Sequence, residues 1–280
     1  MQSIKENIPS DQILVIIMAL YLISSFIEPL ARIGGLFMYA FVIIHGVKRY
    51  GPKNMSLFFV ITFIISWIFE AMSIETGFPF GNYYYTDHLG FKLGTVPLVI
   101  MPSWFMTGYL SWTMGSTFLR NYGNSVEKKD LFLLPFISGF IMLMWDFCLD
   151  PIFSNIQEAW IWEEAGSLGY YFGVPISNYF GWYLTIWLIF QIFAIYLYLT
   201  MENENIGESK VYWLSPAVIY FALSIAYLIS PFLQTSNLDI YWSMFLAAVV
   251  TMSFISFLNF ILVLRDESIE ENIATVKIID

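Results

Sequence analysis

The sequence predicts an all-α, polytopic membrane helix bundle of about eight transmembrane helices with both termini cytoplasmic. Three observations carry that reading. The 280 residues are 58% hydrophobic and only 12% charged, about half the charge of an ordinary soluble domain. Eight apolar runs approach or reach the length of a spanning helix, roughly 17–25 residues. The basic residues gather in alternate loops, as the positive-inside rule requires.

The first two runs, 12–28 and 31–47, are the shortest, with Glu28 and Pro29 between them; seven spans is the alternative if they do not both cross. The first run lacks an Ala-x-Ala-like cleavage site after it and is expected to be retained. The others are 55–74, 97–119, 131–149, 180–200, 211–230 and 241–264. Eight spans place Lys5, Lys48, Arg49, Lys53, Arg120, Lys128, Lys129, Lys210, Arg265 and Lys277 on one side, and Arg32 and Lys92 on the other. Ten against two marks the first side as cytoplasmic. The expected protein is a multi-pass component of the cell (plasma) membrane, with one membrane domain over 1–265 and a polar, acidic cytoplasmic tail over 266–280. No internal repeat is evident along the chain.

Composition excludes several classes. Twelve basic residues supply no patch for nucleic acid. The single cysteine, Cys148, excludes an internal disulfide. Two histidines, His45 and His88, are too few for a histidine-rich di-iron site, and b-type haem proteins usually pair histidines across helices. No metal and no cofactor is expected, and the chemistry falls to carboxylates, aromatics and water.

The two long loops assigned to the outer side, 75–96 and 151–179, contain FPFGNYYYTDHLG and PIFSNIQEAWIWEEAGSLGYYFGVPISNYFGW. Aromatic belts form at both membrane faces, so concentration on one side asks for another reason. Beneath these loops lie three carboxylates inside predicted spans: Glu70 in SWIFEAMSIETG, and Asp146 and Asp150 in MLMWDFCLDP. Acids within a span are costly and are functional candidates by default. The spacing of four puts Asp146 and Asp150 on one helix face, and Pro151 is expected to end that helix. A carboxyl group taken out of water favours its protonated form, and a second carboxylate nearby adds to this. Aromatic faces around such an acid stabilise a positive charge. Acid, aromatic cage and water together suit proton-initiated chemistry on an alkene.

Other polar residues have simpler readings. Trp104, Thr107 and Ser111 recur at helical spacing and suit helix packing. Asn178 and Trp182 open the sixth span, where Asn caps and Trp anchors. Asp87 and His88 suit a loop turn as well as a site, and His45 is expected at the cytoplasmic interface. Glu163 and Glu164 read as a solvated pair, and Gly169 and Gly173 have a GxxxG spacing that means little in a loop.

Two blocks carry a resemblance. FEAMSIETGFPFGNYYYTDHLGFKLGTVPLVIMPSWFMTGYLS and WDFCLDPIFSNIQEAWIWEEAGSLGYYFGVPISNYFGW, over 69–111 and 145–182, resemble the carotenoid biosynthesis membrane protein family of bisanhydrobacterioruberin hydratase, the CruF-like carotenoid 1,2-hydratases. The resemblance implies hydration of the terminal C1=C2 double bond of acyclic ψ-end groups, as in bacterioruberin-type carotenoids. It implies a cofactor-independent hydro-lyase whose partners are a membrane-embedded acyclic carotenoid, the lipid bilayer and other enzymes of the carotenoid pathway. On that footing one of Glu70, Asp146 and Asp150 donates the proton, Asp146 first because it lies furthest from the helix end. Tyr84, Trp104, Trp162 and Trp182 would line the cation end, with Asp87, His88 and Asn178 orienting water. The rival readings are a membrane carotenoid cyclase and, from another class, a non-catalytic carotenoid or lipid carrier or transporter.

Overall fold

The computed structural model describes residues 11–26, 28–163 and 168–271. Lys5, Glu164 and Lys277 lie outside the described residues, as does the side chain of Arg32. All eight apolar runs are helical: α1 (Asp11–Phe26), α2 (Glu28–Thr76), α3 (Ile100–Phe118), α4 (Leu133–Asn155), α5 (Ile176–Thr200), α6 (Lys210–Leu233), α7 (Leu238–Ala248) and α8 (Phe254–Arg265). The last two join through a π-turn over Val249–Ser253. Among the described residues, five helices are long and apolar enough to cross a membrane: Ile33–Thr76, Leu133–Asn155, Ile176–Thr200, Lys210–Leu233 and Leu238–Arg265. Helix α1, with 16 described residues, is a shorter apolar helix outside that set.

The long α2 is two helices. Gly51 adopts φ 76°, ψ 163°, followed at once by Pro52, a backbone that only glycine reaches without strain. The rings of Tyr39 and Phe59 meet edge to face at 6.5 Å, although twenty residues of straight helix would separate them by about 30 Å. The two arms therefore fold back on each other as a hairpin, which matches the separate runs read from the sequence.

Pro151 does not end α4, which continues to Asn155. The N–H that Pro151 lacks leaves only the Phe147 carbonyl without its helical donor, and the turn beyond is held by Ser154 Oγ and Asn155 Nδ2, which donate to the carbonyls of Asp150 and Pro151 at 2.7 and 2.9 Å.

The second arm of α2, with α3, α4 and α5, packs in a ring, each helix against the next. Helices α1, α6, α7 and α8 pack outside that ring. Short strands cap one end: β1 (Tyr83–Tyr85) pairs antiparallel with β4 (Trp160–Trp162), and β2 (Lys92–Leu93) with β3 (Val96–Pro97) and β5 (Tyr170–Tyr171) with β6 (Val174–Pro175) form two small hairpins.

The element order from α2 to α3 recurs from α4 to α5, so the expectation of no internal repeat is corrected. In each half an acid-bearing helix leads to a strand, then to a hairpin ending in Val-Pro, then to a helix. The residue after Val-Pro donates its N–H to the residue before the hairpin in both halves, Leu98 to Phe91 at 2.8 Å and Ile176 to Gly169 at 3.0 Å. Both helices then carry Trp and Thr at the same offsets, Trp104 and Thr107 against Trp182 and Thr185. The rest of the two segments differs, which hid the repeat in the linear sequence.

The opposite end holds the charged loops. Lys48 pairs with Asp11 at 3.4 Å and Glu208 at 2.5 Å. Arg49 is buried, donating to the carbonyls of Gly123 and Asn121 at 3.0 and 3.2 Å. His45 is also fully buried, stacked on Tyr212 at 3.8 Å and bonded to the Tyr109 hydroxyl at 2.6 Å. The start of the tail packs here: Asp266 accepts from Tyr122 at 2.9 Å, and Ile269 is buried.

Candidate active site

Period-two alternation in β1 and β4 builds the roof of the site. Successive strand residues point to opposite faces, so Tyr83 and Tyr85 turn inward and are buried while Tyr84 is half-exposed. Register pairs Tyr83 with Trp162 and Tyr85 with Trp160, placing four aromatic rings, tilted or edge to face against one another, over the ends of α2 and α4.

Glu70 and Asp150 lie under this roof, both almost fully buried. Glu70 Oε2 accepts from the hydroxyls of Tyr83 and, at 2.9 Å, Tyr85; its Oε1 accepts from Trp104 Nε1 at 3.0 Å. Asp150 Oδ1 accepts from Trp160 Nε1 at 2.8 Å and Trp162 Nε1 at 3.4 Å, and its Oδ2 from Asn178 Nδ2 at 2.6 Å. Each acid is thus held by two residues of its own half's strand and one of its own half's following helix. Burial, reinforced by Glu70, holds the phenols of Tyr83 and Tyr85 protonated well above the usual tyrosine range.

Both acids face one cavity of about 200 Å³. Trp104 and Trp182 form part of its wall, stacked at 4.0 Å, with Trp145 edge-on to Trp182 at 6.1 Å. Phe80, Leu89, Val99, Ile100, Leu149 and Phe153 supply most of the remaining apolar lining. An apolar cavity of ~150 Å³ accommodates benzene, so this one fits a branched hydrocarbon end of several carbons, but not a long chain.

The residues expected from the sequence divide cleanly. Glu70, Asp150, Trp104, Trp162, Asn178 and Trp182 line the cavity. Asp146 is buried one helical turn below Asp150, off the cavity wall; its Oδ2 accepts from Asn178 Nδ2 at 3.2 Å and its Oδ1 has no hydrogen-bond partner among the described residues. Tyr84 is corrected: strand alternation turns it away from the cavity. Asp87 and His88 are corrected too, since they occupy an exposed 3₁₀ turn capped by Thr86, with Lys92 at 3.3 Å from Asp87. Asn178 is not a helix cap; Pro175 holds that position, and the amide bridges the two aspartates instead. Thr107 and Ser111 bond back to carbonyls one turn earlier, at 2.8 Å each. Glu163 stays exposed, with its N–H on Asn82 at 2.9 Å, and Gly169 and Gly173 serve turns at φ +86° and +77°.

Tyr83, Tyr85, Trp145 and Trp160 belong to the site and were not singled out from the sequence. The alternation in YYY and WIW was the available signal for three of them. Among the described residues, no three His, Cys, Asp or Glu side chains gather as a set able to hold a metal ion.

Fold and cavity together define a helical membrane protein with buried carboxylates facing an apolar, aromatic-walled cavity. A family model described as carotenoid biosynthesis protein matches residues 30–258, and the chain belongs to that family. No curated protein and no solved structure matches the chain.

Proposed function

We propose that the protein is a carotenoid hydratase that adds water across the terminal C1=C2 double bond of an acyclic ψ-end group, without a cofactor. The observation that carries this reading is the pair of buried carboxylates, Glu70 and Asp150, on the wall of one aromatic-lined cavity of about 200 Å³.

The hydrogen-bond inventory separates their roles. The groups holding Asp150 are all N–H donors, which cannot accept a proton back; this shell suits a carboxylate that stays ionised. Glu70 is held on one oxygen by two hydroxyls, which accept as readily as they donate. A proton on Glu70 therefore costs no hydrogen bond once a hydroxyl reorients. Glu70 is the donor in this reading, in place of Asp146, which lies off the cavity wall.

Glu70 gives its proton to C2, the π electrons form the C2–H bond, and C1 becomes a tertiary cation. The Asp150 charge and the faces of Trp104 and Trp182 stabilise that cation. A water oxygen then bonds to C1 and its proton returns to Glu70. The balance is alkene plus water to tertiary alcohol. All eight helical runs cross the cell membrane in this reading, with the charged end and both termini cytoplasmic.

Expression in cells accumulating an acyclic carotenoid, with mass analysis of extracted pigments, tests the assignment. Hydration adds the mass of one water per end group. An unchanged mass with a new ring identifies a cyclase, and pigment that is bound but unaltered identifies a carrier; either result removes the hydratase reading.

A further inference from the structure

The two halves of the site differ where they meet the surface. Each half has a crevice between the start of one helix and the end of the neighbouring acid-bearing helix: α5 against α2, and α3 against α4. In the first crevice the loop after α2 fills the space. Ser177 Oγ donates to Phe80 O at 2.9 Å, and Ser73 Oγ donates to Gly81 O at 2.9 Å. Gly181 lies so close that an added Cβ would stand 2.9 Å from the Pro79 carbonyl. Phe80 is buried there, between the crevice and the cavity.

The equivalent crevice carries no such plug among the described residues: Ser103 Oγ bonds back within its own helix, to Val99 O at 2.9 Å. The position matching Gly181, six residues after Val-Pro, is Ser103, and the position matching Ser73, three after the acid, is Phe153. Both line the cavity and both are partly exposed, as are Ile100 and Leu149. Val99 lines the cavity while 47% exposed, which marks the mouth, and exposed Leu98 and Phe91 make its surroundings apolar. The cavity holds only the end of a long hydrocarbon, so the remainder of such a molecule has to leave by an opening of this kind.

We propose that the substrate is a long linear hydrocarbon that enters end-first from the side, between the start of α3 and the end of α4, through a portal whose width Val99 and Ser103 set. This rests on the cavity being the site for the ψ-end group. Membranes containing lycopene as the acyclic polyene provide the test, with pigment co-purifying per mole of protein as the measure of entry and conversion measured separately. Ser103→Trp and Val99→Trp are expected to lower retained pigment at least tenfold, with conversion falling alongside. Phe180→Trp, on the exposed surface of α5, is expected to match the native protein. Val99 is at the surface, so its variant carries the test if Ser103→Trp does not fold. Native retention in folded Val99→Trp, equal loss in Phe180→Trp, or no pigment on the native protein would each overturn the portal. Native protein that retains pigment in a Val99-dependent way without converting it removes the hydratase reading and leaves the portal standing.

Discussion

Trp104 and Trp182 lie face to face, with centroids 4.0 Å apart and planes 17° from parallel, and each stands seven residues beyond the proline of a Val-Pro pair. A local two-fold relating the halves would place the stack there, and the antiparallel β1–β4 pair above it. The indole stack therefore joins the two helices that follow the hairpins. Trp104 also donates to Glu70. Trp104→Ala is expected to cost about 3–5 kcal/mol, read as thermal unfolding in detergent. Trp104→Phe keeps an aromatic face, removes the N–H, and should lose less stability than activity.

The three acids should separate by activity. Glu70→Gln is expected to reduce conversion by roughly 10²–10⁴-fold while retaining bound polyene. Asp150→Asn should also reduce conversion, because the cation loses its counter-charge. Asp146→Asn, off the cavity wall, should have the smallest effect. Near-native turnover by Glu70→Gln would reject it as the donor.

The phenols above Glu70 predict a pH effect on stability. Their protonated form is favoured in the folded protein by burial and by Glu70, whereas unfolded tyrosine ionises at about pH 10. Their contribution is whole below about pH 10 and declines as pH rises beyond it. The melting temperature should fall from there upward, and less steeply in Tyr83→Phe/Tyr85→Phe. Parallel slopes would show that these two hydroxyls do not set the dependence.

Gly181 is a position of close approach rather than of special backbone. A Cβ there would press on the backbone of Pro79, and Gly181→Ala is expected to cost about 1–3 kcal/mol by overpacking. Unfolding by heat measures it. A neutral result would mean that the loop over 77–81 yields without cost.

Arg49, at the end remote from the cavity, is buried under the rings of Tyr50 and Trp213 at 4.8 and 4.9 Å. Arg49→Met removes its two bonds to loop carbonyls and is expected to lower stability by about 2–3 kcal/mol. Turnover per folded molecule should be unchanged. A loss of turnover without a loss of stability would assign Arg49 another role.

Helices were legible because burial in an apolar phase demands long uninterrupted hydrophobic runs, and these stand out in one dimension. The hairpin within α2 was legible too, from the charged break at Lys48–Lys53 between two apolar runs. Glu70, Asp146 and Asp150 were conspicuous because a carboxylate in such a run is expensive. Asp87 and His88 looked equally chemical, yet they sit in a solvated turn, where a polar residue costs nothing and so signals nothing.

By itself the sequence determined the helical runs, the side of the bundle that carries the basic loops, the candidate acids and the two aromatic loops above them. Local hydrophobicity and charge act on each segment wherever its neighbours are. Only the tertiary structure decided that Tyr83 and Tyr85 face Glu70 while Tyr84 faces away, that Asn178 bridges Asp146 and Asp150, and that Phe80 is buried on the cavity wall while Val99, on the same wall, is half-exposed. Those outcomes depend on strand register and on pairing between loops some eighty residues apart, and no local preference encodes which partner a buried carboxylate will find.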